Sequence, residues 1–140
     1  MKRNATAVWN GTGKDGNGKI NSQSGVLNNS QFSYKTRFED GIGTNPEELI
    51  AAAHAGCFSM QLSFNISAEG ITPEEITTKA DVNVNPAKGE IDTIHLDVKV
   101  KATGLSQEKF DALVAHAKEN CPVSKLVKAA EITISSELLA

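Results

Sequence analysis

The 140-residue sequence is poor in cysteine (two), proline (four) and aromatic residues (5%), and it has no excess of positive charge: 14 Lys and Arg stand against 17 Asp and Glu. Each shortage excludes something. Two cysteines cannot make the multiple-disulfide framework of a small secreted domain. The mild, scattered acidity leaves no basic footprint, so nucleic acid is not an expected partner. No run approaches the roughly 18 consecutive apolar residues of a membrane span. The amino terminus, with Lys2 and Arg3, lacks the apolar stretch of an export signal. The expectation is a cytoplasmic protein with no membrane partner, folded as one domain over residues 1–140 with a real core.

What the chain does contain begins with short alternating runs at residues 6–9, 19–26 and 31–38, separated by Gly and Asn clusters, which predict antiparallel hairpins. A helix of roughly 20 residues follows, with Asn45 as cap, Pro46 at its first position and Glu48 closing a capping box. Leu49, Ile50, Ala53, Cys57, Met60 and Phe64 recur at helical spacing and predict its buried stripe. Ala52, Ala55, Gly56, Ser59 and Ser63 form a second face of small residues, which lets another backbone approach closely. Strands are expected at 76–84 and 93–102, a helix capped by Ser106, a short helix opened by Pro122, and a last strand at 132–138. This order argues for α+β with antiparallel sheets and against a doubly wound parallel sheet.

The two cysteines stand in unlike settings. Cys57 lies eleven positions into the long helix, roughly 16 Å from its start, beyond useful reach of the helix dipole. Its apolar neighbours raise its pKa further above the usual value of about 8.5, so a catalytic Cys57 needs a cation beside it. The chain has only two arginines, Arg3 and Arg37, and Arg37 precedes the loop into this helix. A carboxylate to hold that guanidinium is available in Glu47 or Glu48. Glu47 is ten residues before Cys57, about 15 Å along the axis, so one arginine cannot meet both on a straight helix. Either the helix is kinked or the site is completed across a dimer, and the small-residue face favours the dimer. Cys121, with Pro122 at the first helical position after it, sits near free amides that lower a thiol's pKa. The pair predicts peroxide chemistry: Cys57 becomes sulfenic acid and condenses with Cys121 to a disulfide that an external thiol reduces.

Arg37-Phe-Glu-Asp40, Thr44-Asn-Pro-Glu-Glu-Leu-Ile50, His54-Ala-Gly-Cys-Phe-Ser-Met60 and Cys121-Pro-Val-Ser124, with Ser24-Gly-Val-Leu27 in support, are similar to motifs of the osmotically inducible protein C and organic hydroperoxide resistance (OsmC/Ohr) family. The position of Arg37 just before the helix loop resembles the OsmC branch. The resemblance covers essentially the whole chain. It implies an intertwined homodimer with two long central helices flanked by sheets, and two active sites at the interface. It further implies thiol-dependent reduction of organic hydroperoxides in preference to hydrogen peroxide, without metal or haem, and an external dithiol reductant of the dihydrolipoyl type. Carried onto this chain, Cys57 is the peroxidatic residue and Cys121 the resolving one, Arg37 holds thiolate and peroxide, and Glu47 orients Arg37. Gly56 departs from the alanine expected directly before the nucleophile and loosens the helix there.

Other readings of the same residues remain open. A stress or ligand-binding protein without enzymatic activity could use this fold. His54, one turn before Cys57, could act as a base or form a metal module with Cys57 and Cys121, although a structural zinc site needs a fourth protein ligand and a packing role for His54 explains it more simply. A general dithiol oxidoreductase is a closer rival, but the chain lacks Cys-x-x-Cys. Gly11, Gly13 and Gly16 fit a dinucleotide fingerprint, and Gly13 to Lys19 fit most of a Walker loop. Ile20 replaces the required hydroxyl residue and a strand follows, so these are hairpin glycines. Ser106 and Lys109 have the Ser-x-x-Lys spacing of acyl-transfer enzymes, for which a helix cap suffices.

Overall fold

The computed structural model describes residues 1–140 and divides into two compact units, Met1–Leu49 and Ile50–Ala140. In the first, β1 (Ala5–Asn10), β2 (Asn17–Ser22) and β3 (Ser30–Ser33) form an antiparallel sheet in the order β1-β2-β3. The glycine-rich segment is the β1–β2 turn, as expected. Gly18 is required by packing, since a Cβ there would run into the rings of Phe32 and Trp9, which meet at 5.3 Å between centroids.

Two strands end earlier than their patterns predict. At Ser22 the hydroxyl accepts from the Leu27 amide at 3.0 Å, and Gly25 turns with φ +78, so β2 stops before residue 26. At Ser33 a capping box takes over: its hydroxyl accepts from the Thr36 amide while Thr36 Oγ1 accepts from the Ser33 amide at 2.9 Å. Tyr34–Phe38 is therefore a short helix, α1, where strand alternation had predicted an extended segment to residue 38. Local side-chain bonding outweighed the period-two pattern.

The long helix α2 (Pro46–Ala68) starts where expected, with Asn45 Oδ1 accepting from the Glu48 amide at 2.8 Å. The Glu48 carboxylate accepts from Thr44 Oγ1 instead of closing the box. The helix buries a different stripe from the one predicted: His54, Phe58, Leu62 and Ile66 are fully buried, whereas Met60 and Phe64 are 62% and 67% exposed. Both faces are apolar at helical spacing, so periodicity alone does not choose between them. By length and mean composition alone this helix also suffices to cross a membrane, a test that a buried core helix meets as well, yet His54, Ser59, Gln61, Ser63 and Asn65 interrupt it and leave no long run of consecutive apolar residues.

In the second unit β4 (Glu75–Asn85) and β5 (Glu90–Lys101) pair antiparallel, and β6 (Glu131–Leu139) joins β5 in parallel. This second sheet is thus mixed, not purely antiparallel. The connection from β5 to β6 carries α3 (Gln107–Asn120) and α4 (Pro122–Leu126), the helical crossover that a parallel pair needs. Ser106 caps α3, accepting from the Lys109 amide at 3.3 Å. Ile94, Leu96, Val98 and Val100 point from β5 into a core completed by Phe58, Leu62 and Ile66 of α2 and Phe110, Val114 and Ala117 of α3. Each large side chain buried there is worth about 1.5–3 kcal/mol. That core carries the helices on which both cysteines sit.

Candidate active site

Cys57 and Cys121 come together. Cys57 lies mid-way along α2 and is half-buried; Cys121 closes α3, caps α4 and is fully buried. Their sulfurs are 2.9 Å apart and both thiols are free. A disulfide needs about 2.05 Å between sulfurs, so closure requires only a small movement.

The helices give the two thiols opposite titration behaviour. Burial, and then the contact with Cys121, push the Cys57 thiol above its ordinary value, and the Val123 amide only partly offsets this. Burial also pushes the Cys121 thiol up, but Cys57, the amide and hydroxyl of Ser124 and the amide of Val123 outweigh it and hold it below the ordinary value. The Ser124 amide lies 3.5 Å from Cys121 Sγ, at the open start of α4 that Pro122 creates. Cys121 thus gives up its proton more readily than Cys57, whose ionisation needs a cation beside it.

The second pair lies in the first unit. Arg37, on α1, donates from Nε to Glu47 Oε2 at 3.2 Å and from Nη2 to Oε1 at 2.5 Å, a two-pronged pairing. Of the two glutamates considered from sequence, Glu47 holds the guanidinium and Glu48 is occupied with Thr44. Hydrogen bonding to Arg37 lowers the Glu47 pKa against the opposing effect of burial, and the bond to Glu47 raises that of Arg37. Beside the guanidinium, Trp9, Phe32, Tyr34, Phe38 and Pro46 line a cavity of about 150 Å³. Arg37 Cζ stands 5.1 Å from the centre of the Phe38 ring.

One element escaped the sequence reading. His54 is fully buried, as a packing residue would be, yet its Nε2 lies 2.8 Å from the Ser124 hydroxyl. The available signal was the matched spacing: His54 is one turn before Cys57, and Ser124 one turn after Cys121. No group of three or more His, Cys, Asp or Glu side chains is arranged to hold a metal ion.

Residues 39–137 match the family model described as OsmC-like protein. The chain is 44% identical over 140 residues to peroxiredoxin OsmC of Escherichia coli (strain K12), an alignment spanning 99% of this chain and 97% of that protein. It is 34% identical over 114 residues to organic hydroperoxide resistance protein OhrB of Bacillus subtilis (strain 168), spanning 79% and 82% of the two chains. Among solved structures, an OsmC-like protein from Mycoplasma pneumoniae superposes with a TM-score of 0.76 over 100% of this chain and 99% of its own; at 16% identity that likeness is one of fold alone.

Proposed function

Because this chain belongs to the OsmC-like protein family, we propose that it is a thiol-dependent peroxidase that reduces organic hydroperoxides to alcohols. The observation that carries this reading is the approach of two free thiols to 2.9 Å, one on the core helix and one on a helix cap. The names of the relatives from Escherichia coli and Bacillus subtilis, a peroxiredoxin and an organic hydroperoxide resistance protein, support both the reaction and its substrate class.

Cys57 thiolate attacks the peroxide; the O–O bond breaks, Cys57 gains the S–OH group, and the departing alkoxide takes a proton to become the alcohol. Cys121 then displaces the hydroxyl as water and closes the disulfide. An external dithiol, of the dihydrolipoyl type, reopens it by exchange. Arg37 supplies the permanent charge that Cys57 lacks among its own neighbours and steadies the peroxide oxygens, while Glu47 fixes the plane of the guanidinium. The aromatic cavity beside Arg37 suits the apolar group of an organic hydroperoxide. Sulfur carries both electrons of the cycle.

Glu47 and Cys57 are ten residues apart on α2, about 15 Å along its axis. In this reading the guanidinium clamped by Glu47 serves the cysteine of a second subunit, and the working form is a homodimer. The exposed residues Gly56, Met60 and Phe64 on one side of α2 suit burial in such an interface. A reducing cytoplasm keeps both thiols ready, and the family match, which runs from one compact unit into the other, supports one functional domain over residues 1–140.

The test mixes reduced protein with one equivalent of cumene hydroperoxide and, separately, hydrogen peroxide, following free thiols and intact mass. Fast loss of two thiols with a fall of about two daltons, quicker with the organic peroxide, is the expected result. Thiols that persist for minutes would replace this reading with a binding protein on the same fold.

A further inference from the structure

Two rungs of similar length join α2 to the start of α4. One is the sulfur pair at 2.9 Å; the other, one turn away on each helix, is His54 Nε2 to Ser124 Oγ at 2.8 Å. His54 is fully buried, Ser124 is 3% exposed, and His54 Nδ1 has no hydrogen-bond partner. Burial lowers the His54 pKa, so the ring is neutral and carries a single N–H. If that hydrogen were on Nδ1, a buried donor would be orphaned, which is among the costliest polar defects in a protein interior. The hydrogen therefore belongs on Nε2, where it donates to Ser124 Oγ and leaves the serine's own hydrogen free to turn elsewhere. The Cys121 sulfur stands in the same turn, accepting from the Ser124 amide at 3.5 Å, and the Ser124 hydroxyl and amide both hold its pKa down.

We propose that His54 and Ser124 are positioning residues of the resolving step, forming the chain His54 Nε2–H to Ser124 Oγ–H to Cys121 Sγ, which holds the second sulfur as an aimed thiolate. The inference rests on the peroxidase reading for its biological use, but its geometry does not. In the step it serves, Cys121 thiolate attacks the sulfur of Cys57 sulfenic acid, and the S–S bond forms as the S–O bond breaks. The leaving hydroxide takes up the proton that Cys121 released on ionising and departs as water. No outside oxidant or reductant enters this step. A hydroxyl donor fixed by a buried imidazole cannot swing away from the sulfur, so ring closure outruns further oxidation of the sulfenic acid.

The experiment compares wild type with Ser124→Ala, His54→Leu and His54→Gln in two measurements. In a single turnover with one equivalent of cumene hydroperoxide, sulfenic acid is trapped with dimedone and disulfide is followed by mass. Peroxide loss should proceed at the wild-type rate, while disulfide closure slows about tenfold in Ser124→Ala and His54→Leu, the scale of one lost hydrogen bond to a charged group. His54→Gln should recover closure because its amide can still donate to Ser124. In a Cys57→Ser background, thiol titration of Cys121 should move upward by about one pH unit on adding Ser124→Ala, a tenfold smaller thiolate fraction at neutral pH.

Closure at the wild-type rate in Ser124→Ala, equal slowing of both steps, or an unmoved Cys121 titration would overturn the proposal. If His54→Leu does not fold, the contrast between Ser124→Ala and His54→Gln still decides. If wild-type thiols ignore the peroxide, the peroxidase reading fails on its own, and the Cys121 titration continues to judge the hydrogen-bond chain.

Discussion

Residues 50–140 hold every buried hydrophobic side chain of the protein, from Phe58 to Ala130, whereas in residues 1–49 the buried side chains are polar: Thr36, Thr44 and Glu47. Val26 and Ile42 of the first unit stand 85% and 93% exposed. One unit is held by packing, the other by strand pairing, a capping box and an ion pair. Each carries half of the candidate chemistry, and the halves match their supports. The two thiols of the proposed redox pair sit on helices fixed by an apolar core. The guanidinium, proposed to supply charge, sits on a short helix fixed by hydrogen bonds.

That contrast can be broken most severely at the sulfurs. Cys57→Ser should lower peroxide turnover by about 10³-fold or more, as loss of a nucleophile does, measured by hydroperoxide consumption; wild-type turnover would remove Cys57 from the mechanism. Cys121→Ser should keep one stoichiometric burst and then stall as sulfenic or overoxidised protein, visible by mass. Next comes the support beneath them. Phe110→Ala should cost about 3–5 kcal/mol in urea unfolding, whereas Val26→Ser in the first unit should stay within about 0.5 kcal/mol. Similar losses at the two positions would erase the distinction between the units. Arg37→Ala should raise the Cys57 thiol titration and slow peroxide attack by about ten- to a hundredfold, the effect of losing one nearby opposite charge; an unchanged titration would separate Arg37 from the thiol.

The smallest expected effect lies in acid. Because Arg37 lowers the Glu47 pKa in the folded protein, the pair's stabilising contribution is present above the ordinary carboxylate range and is lost as pH falls through the lowered folded value. Glu47→Gln should flatten that acid limb of the unfolding curve and leave the neutral region nearly unchanged; an identical acid limb in the variant would deny the pair any role in stability.

Legibility followed the range of the interactions. The caps at Asn45, Ser106 and Cys121 and the alternation of Ile94, Leu96, Val98 and Val100 rest on neighbours in sequence, and the structure has them where the pattern put them. The buried stripe of α2 and the parallel placement of β6 depend on what lies across from them, and local pattern misjudged both. The site divides in the same way. The unlike surroundings of Cys57 and Cys121 could be read from helix position, and the motif resemblance named the thiols, Arg37 and Glu47. The bond between His54 and Ser124 spans 70 residues and had only its spacing as a signal. At Ser33 a capping box overruled strand alternation, because period-two hydrophobicity does not register a hydroxyl that bonds its own backbone.

The parallel pairing of β5 with β6 has a consequence for how the protein is made. Cys121 reaches Cys57, 64 positions earlier, on a crossover whose far anchor is the last strand, Glu131–Leu139. Contacts of such sequence separation are slow to form, because the intervening loop must be closed first. Bringing the two sulfurs together therefore waits on closure of the helical crossover between β5 and β6. Proximity of the sulfurs is a built-in report that this crossover is in place.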